Sequence, residues 1–76
     1  MIVCSEYAIM KMAQRRIKRD FVIQALRNPD FEKKSYGGRM VRYKRFGKLH
    51  LAVVYRTEDG DMVVITQHWV AKTKRQ

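Results

Sequence analysis

Six side chains in the second half of the chain belong to residue types that suit phosphate chemistry. They are His50, His68, Arg42, Lys44, Arg56 and Thr66. Cleavage of RNA requires a base for the 2′-hydroxyl proton, fixed positive charge around the phosphorane and an acid for the departing 5′-oxygen. Histidine titrates near neutrality and can be base or acid, and arginine and lysine stabilise developing negative charge. If these groups converge, they predict phosphate binding, and RNA cleavage is the reaction they would suit.

The last two strands that must position these groups form a predicted hairpin over residues 49–69, with its turn at Asp59-Gly60. A three-residue loop, Glu58-Asp59-Gly60, would place His50 opposite His68, with Cβ atoms about 5 Å apart. The buried face would then hold Leu49, Leu51, Val53, Tyr55, Val63, Ile65 and Trp69. The polar face would hold His50, Ala52, Val54, Arg56, Met62, Val64, Thr66 and His68. A two-residue loop would move Thr66 and His68 among the leucines, so burial favours the longer loop.

The preceding strand, residues 39–46, has two candidate registers. A loop of Gly47, Lys48 and Leu49 would send Val41 and Tyr43 to the apolar face and Arg42, Lys44 and Phe46 to the polar face. A two-residue Gly47-Lys48 loop would instead bury Arg42 and Lys44, at a cost of several kcal/mol for each unpaired charge. We therefore expect the three-residue loop.

The first half of the chain predicts two helices. Ser5 is a candidate N-cap for a helix of about 12 residues, whose apolar stripe is Ile9, Met12, Ala13 and Ile17. A second helix begins near Asp20, carries Val22, Ala25 and Leu26 inward, and ends at Asn28-Pro29. Residues 31–36 are predicted to form an edge strand. Residues 1–4 are predicted to be either a short strand or an irregular segment that leads into the first helix. The predicted fold class is α+β, with two N-terminal helices packed on one face of a four-stranded antiparallel β-sheet.

The charge balance favours a polyanionic partner. The 76 residues carry 17 Lys and Arg against 7 Asp and Glu, a formal net charge of +10. We expect a basic cluster near the end of the first helix, together with Arg42 and Thr66, to contact nucleic acid. The members of that cluster are Arg15, Arg16, Lys18 and Arg19. Tyr43 and Trp69 are aromatic groups that could stack on bases, although Trp69 lies in the buried register.

Other features point to a small intracellular protein without a cofactor. One cysteine, Cys4, permits no intrachain disulfide and fits a reducing compartment. No metal-ligand spacing or phosphate-cradling glycine loop is visible, so we expect neither a metal nor a cofactor. No segment is long and apolar enough to be a signal peptide or a membrane span. We expect one cytoplasmic domain over residues 1–76, a monomer or homodimer, with a basic tail at 71–76.

Three motifs together resemble a known group of proteins. They are Tyr7-Ala8-x-x-Lys11-Met12-x-x-Arg15-x-Ile17, then Ala25-Leu26-x-Asn28-Pro29, and then Val64-Ile65-Thr66. Over roughly residues 5–69 this ordered set is similar to small uncharacterised bacterial and archaeal domains related to the RelE/ParE-like toxins, including the BrnT branch. That group usually has His at the position of Tyr7 and Arg at that of Lys11, whereas Arg15 and Thr66 match it.

The resemblance implies two helices on a four-stranded antiparallel sheet, with the uncovered sheet face as the active surface. RelE-like toxins cut messenger RNA on the ribosome, and an antitoxin commonly covers their basic surface. These toxins cut RNA with Lys and Arg side chains on strands and a His or Tyr near the C-terminal strand. The resemblance therefore implies catalytic roles for Lys44, Arg56 and His68, and less directly for Arg42. Two functions stay open: a toxin-type RNA-binding protein, with endoribonuclease activity from His50 or His68, or a non-enzymatic module that binds nucleic acid or protein.

Overall fold

A computed structural model describes residues 1–71 as two helices packed on one face of a five-stranded sheet. The elements in chain order are β1 (Ile2–Cys4), α1 (Glu6–Arg15), α2 (Arg19–Arg27), β2 (Phe31–Lys34), β3 (Met40–Phe46), β4 (Leu49–Glu58) and β5 (Asp61–Val70). The strands lie in the order β1-β5-β4-β3-β2. The α+β class with N-terminal helices is confirmed. The sheet gains a fifth strand because β1 pairs in parallel with β5, so it is mixed rather than purely antiparallel.

Local sequence signals account for the helix ends. Ser5 caps α1 as expected, since its Oγ accepts a hydrogen bond from the Ala8 N–H at 3.0 Å. Arg16 ends α1 in the left-handed region, so the helix has 10 residues rather than about 12. The second helix starts at Arg19, one residue before Asp20, and stops before Asn28-Pro29.

The core lies between the helices and the middle of the sheet. The fully or nearly buried apolar residues are Ala8, Met12, Ile17, Val22, Ala25, Leu26, Leu51, Val53, Tyr55 and Val64. The predicted stripe of the second helix is therefore correct. In the stripe of the first helix Met12 and Ile17 are buried as expected, but Ala13 is exposed and Ile9 is 52% exposed, since Ala8 faces the sheet in place of Ile9. Trp69 packs against this core together with Phe21 and Phe46, as its position in the buried register indicated.

The β4–β5 hairpin has a two-residue loop, so the predicted three-residue loop is wrong. Glu58 pairs with Asp61, and both Asp59 and Gly60 have positive φ, as a type I′ turn requires. The pairing shifts at Ile65, since Tyr55 faces Val64 whereas Val54 faces Thr66. This β-bulge restores the alternation, so Thr66 and His68 still lie on the side away from the helices. Between the turn and the bulge, the residues of β5 lie on the face opposite to the predicted one. Val64 is therefore buried against the helices, where Val63 was expected.

The β3–β4 hairpin also has the shorter loop, Gly47-Lys48, which overturns the preferred register. Phe46 pairs with Leu49, Lys44 with Leu51 and Arg42 with Val53. Arg42 and Lys44 therefore point toward the helices, and the prediction that they lie on the uncovered face is wrong. Their charge is tolerated there because both side chains reach the C-terminal end of α2. Arg42 donates to the Leu26 carbonyl, and Lys44 donates to the Asn28 carbonyl at 3.0 Å.

Candidate nucleic-acid interface

The sheet face that neither α1 nor α2 covers carries both aromatic and cationic side chains. We call it the open face; by strand alternation it presents Phe31, Lys33, Val41, Tyr43, Arg45, His50, Ala52, Val54, Arg56, Thr66 and His68. Of the six residues singled out for phosphate chemistry, His50, His68, Arg56 and Thr66 lie on this face. The other two, Arg42 and Lys44, lie on the opposite side.

Three ring systems form a cluster on the open face. Phe31 and Tyr43 are cross-strand neighbours whose ring centroids are 4.6 Å apart, with their planes inclined by 13°. The His50 ring lies 5.8 Å from Phe31 at an angle of 58°. We call these three residues the aromatic cluster. Each of them is partly exposed, so the cluster presents aromatic ring surface to solvent. A contiguous exposed apolar patch of this kind is typical of an interaction site.

Cations surround the aromatic cluster. The Lys33 Nζ lies 5.9 Å from the Phe31 ring centroid and 5.7 Å from that of Tyr43, within the range of a cation–π contact. Arg45 pairs with His50 across the β3–β4 hairpin, and its Nε donates to the Gly47 carbonyl at 2.8 Å. Phe31, Lys33 and Arg45 were not among the residues predicted from the sequence. The alternation of Phe31 with Lys33, and of Tyr43 with Arg45, would have signalled them once the shorter loop was chosen.

The two histidines share the open face but are not directly opposite. His50 pairs with Val70 and His68 pairs with Ala52, so the histidines are diagonal neighbours, roughly 7–8 Å apart rather than about 5 Å. His68 is exposed at the surface, but partial desolvation by its neighbours, followed by the charge of Arg15, lowers its pKa. Its imidazole is therefore neutral over a wider range around neutral pH than that of an ordinary histidine.

The remaining predicted cations differ in how they are held. Arg56 is paired with Glu58 near the hairpin tip, with 2.8 Å between Nη2 and Oε2. Arg15 lies at the edge of the open face, where its Nη1 donates to the Gln67 carbonyl at 2.7 Å and lies 3.4 Å from the Thr66 Oγ1. The other three members of the basic cluster, Arg16, Lys18 and Arg19, are solvent-exposed beside it. Positive charge therefore continues from the open face onto the turn between the helices.

A separate polar network lies on the helix side of the sheet. Arg42 is paired with Glu32 at 2.6 Å, and its guanidinium lies 5.1 Å from the Tyr55 ring centroid. The Tyr55 hydroxyl also donates to Glu32, at 2.7 Å. Hydrogen bonds from Arg42 and Tyr55 lower the pKa of the Glu32 carboxyl, and the bond to Glu32 raises the pKa of Arg42. These contacts assign Arg42 to packing between α2 and the sheet.

Neither a metal cluster nor a membrane helix occurs in the part of the chain that is described. Within residues 1–71 no three His, Cys, Asp or Glu side chains lie close enough together to hold a metal ion. Over the same residues neither helix has the length and apolar character needed to cross a membrane. The predicted basic tail, apart from Ala71, lies outside the described residues.

Comparisons with protein-family models, with curated proteins and with solved structures gave no match to this chain. The function proposed below therefore depends on the geometry of the open face and on the sequence motifs.

Proposed function

We propose that this protein binds single-stranded RNA through its open face. The observation that carries the proposal is the aromatic cluster, exposed on an uncovered sheet and bordered by Lys33 and Arg45. Sequence-tolerant binding of single strands combines base stacking on aromatic rings with positive charge along the backbone. A formal net charge of +10 supplies the long-range attraction.

Membership of the RelE/ParE-like superfamily is part of this proposal. It is supported by the motifs over residues 5–69 and by the two consecutive helices that precede strands β2 to β5. An acidic antitoxin covering the same face would compete with RNA for it, since both ligands would be attracted by the same cations.

Replacement of the cluster rings tests the binding proposal. Stacking contributes about 1–3 kcal/mol per base, so Phe31→Leu and Tyr43→Leu should each weaken binding roughly 5- to 150-fold. The measurement is fluorescence anisotropy with a labelled twelve-nucleotide RNA at constant salt. Tyr36→Leu is the matched control, because Tyr36 is 92% exposed and makes no ring contact among the described residues. Equal affinities for all four proteins would contradict the proposal.

The same binding measurement is repeated at several salt concentrations and with DNA in place of RNA. We expect the logarithm of the binding constant to fall linearly with the logarithm of salt concentration, with a slope of about −0.7 for each phosphate contacted. A DNA strand of the same sequence distinguishes stacking and charge alone from recognition of the 2′-hydroxyl. Equal binding of both strands would extend the function to single-stranded nucleic acid in general.

Cleavage of the bound RNA is a second candidate function, and one observation favours it. His50 and His68 lie on the same face at diagonal spacing, and the lowered pKa of His68 keeps it available as a base for the 2′-hydroxyl proton. His50 would then be the acid for the departing 5′-oxygen. We expect His68→Ala to abolish cleavage of naked or ribosome-bound RNA, and growth inhibition on expression, while the circular-dichroism spectrum stays unchanged. A fully active His68→Ala protein would remove His68 from the reaction.

A further inference from the structure

Arg15 is held at the edge of the open face by one end of its guanidinium. It is the last residue of α1, and its Nη1 donates to the backbone carbonyl of Gln67 at 2.7 Å. A guanidinium has five N–H donors in a rigid fork. Among residues 1–71, Nε and Nη2 have no hydrogen-bond acceptor and no carboxylate pairs with Arg15. The side chain is thus oriented in advance, and most of its donors are available to a ligand.

Two further groups that can bind an oxyanion lie beside this guanidinium. The Thr66 Oγ1 is 3.4 Å from Arg15 Nη1, and His68 follows two residues later on the same side of β5. The charged and titratable groups around His68 are Arg15 from α1 and, diagonally on β4, His50. Arg15 is close enough to lower the pKa of His68, and within residues 1–71 no carboxylate opposes that effect. A guanidinium and a titratable imidazole therefore adjoin a hydroxyl with no counter-charge from the described part of the chain.

We propose that Arg15, Thr66 and His68, which we call the edge cluster, form a subsite for one phosphate group of the RNA. Arg15 would donate its unused N–H groups to two phosphate oxygens, and the Thr66 hydroxyl and an N–H of the His68 ring would donate to the others. The strand would then cross the sheet from the aromatic cluster on β2 and β3 to the β5 edge. This inference rests on the proposed RNA binding and adds where a phosphate is held.

Nuclear magnetic resonance of the imidazole rings tests the edge cluster directly. The chain has two histidines, so His50→Asn assigns their signals. The pH titration of His68 is followed without ligand, with inorganic phosphate, with a six-uridine RNA that lacks terminal phosphates, and with the same RNA phosphorylated at its 5′ end. We expect the bound phosphate to raise the pKa of His68, because an adjacent anion favours the protonated ring. Arg15→Gln should remove that rise.

Comparison of the three ligands shows whether the site binds a backbone phosphate or a terminal phosphate. A rise with both RNA strands assigns the site to a phosphate within the backbone. A rise with inorganic phosphate and the 5′-phosphorylated strand alone assigns it to a terminal phosphate. An unchanged His68 titration with all three ligands would overturn the proposal, as would a rise that persists undiminished in Arg15→Gln.

Binding measurements provide an independent readout with a matched control. We expect Arg15→Gln to weaken RNA binding about tenfold and to reduce the steepness of the salt dependence by roughly 0.7 units, the value for one phosphate contact to a single strand. Arg16→Gln removes the same charge one residue later and should change both quantities less. If both variants weaken binding equally, general charge rather than a site explains the effect. Arg15→Lys, which keeps the charge without the fork, should recover the binding only partly.

The two proposals fail in different ways. If RNA shifts the signals of Phe31 and His50 while His68 stays unchanged, the edge cluster is wrong and RNA binding by the open face stands. If inorganic phosphate raises the pKa of His68 but no RNA binds, the edge cluster is a phosphate site and the proposed function is wrong.

Discussion

Replacing Arg42 by methionine should cost stability and leave RNA binding nearly unchanged. Arg42 donates to Glu32 and to the Leu26 carbonyl at the end of α2, and lies over the Tyr55 ring. Because its side chain is 28% exposed, we take about 1 kcal/mol for the ion pair. The helix-end contact adds roughly 0.5–1 kcal/mol, and the cation–π contact about 0.5–1 kcal/mol. Methionine retains the aliphatic packing, so the free energy of unfolding should fall by roughly 2–3 kcal/mol.

A loss of that size is easily measured in a small domain. Each kcal/mol shifts the melting temperature by roughly 4–8 °C in a domain of 60–100 residues, so a decrease of about 8–24 °C is expected. Urea unfolding monitored by circular dichroism gives the free energy, and anisotropy at constant salt gives the RNA affinity.

Arg45→Met is the matched control, since Arg45 lies on the same strand with its side chain on the open face. It should change stability by less than about 1 kcal/mol and weaken RNA binding. The opposite result, with Arg42→Met stable but poor in binding and Arg45→Met unstable, would refute the assignment of faces on β3.

Three further predictions concern stability. Glu32→Gln should flatten the acid side of the stability curve: the folded-state pKa of Glu32 is lowered, so its stabilisation is present above the unfolded-state pKa and lost as the pH falls through the folded-state pKa. Urea midpoints across that pH range measure this, and parallel curves for both proteins would contradict it. Gly60→Ala should cost about 1 kcal/mol, because Gly60 has φ +83° in the type I′ turn; an unchanged melting temperature would argue against that turn. Leu51→Ala should cost about 2–5 kcal/mol in urea unfolding, because Leu51 is fully buried, and a loss below 1 kcal/mol would place it outside the core.

The helices could be predicted closely because their signals are local. The Ser5 cap, the stripe of Val22, Ala25 and Leu26, and the stop at Asn28-Pro29 each act within one or two turns. For residues 1–4 the sequence left a short strand and a lead-in as alternatives, since Ile2–Cys4 is stabilised as a strand by pairing with residues 62–64, sixty positions away. With three residues, this strand is too short to show a recognisable alternation of apolar and polar side chains.

The candidate site was predicted only in part for the same reason. His50, Thr66 and His68 were placed on the correct face. For Thr66 and His68 the cause differs from the expected one, because a two-residue turn followed by a bulge at Ile65 has the same effect on them as the longer loop. On β3 no bulge compensates, so the choice of the Gly47-Lys48 loop exchanged the faces. Phe31, Tyr43 and Arg45 then replaced Arg42 and Lys44 on the open face.

The sequence by itself determined the fold class and the two helices, with most of the residues that they bury. It also determined the excess of positive charge, which favours an anionic ligand. Tertiary structure alone decided which β3 cations face solvent. From the sequence alone, Arg42 and Lys44 would be unpaired charges if buried, which disfavours the register that buries them. In the folded chain the carbonyls of Leu26 and Asn28, together with the Glu32 carboxylate, partner those charges, and acceptors supplied by a distant helix end are visible only when the chain is folded.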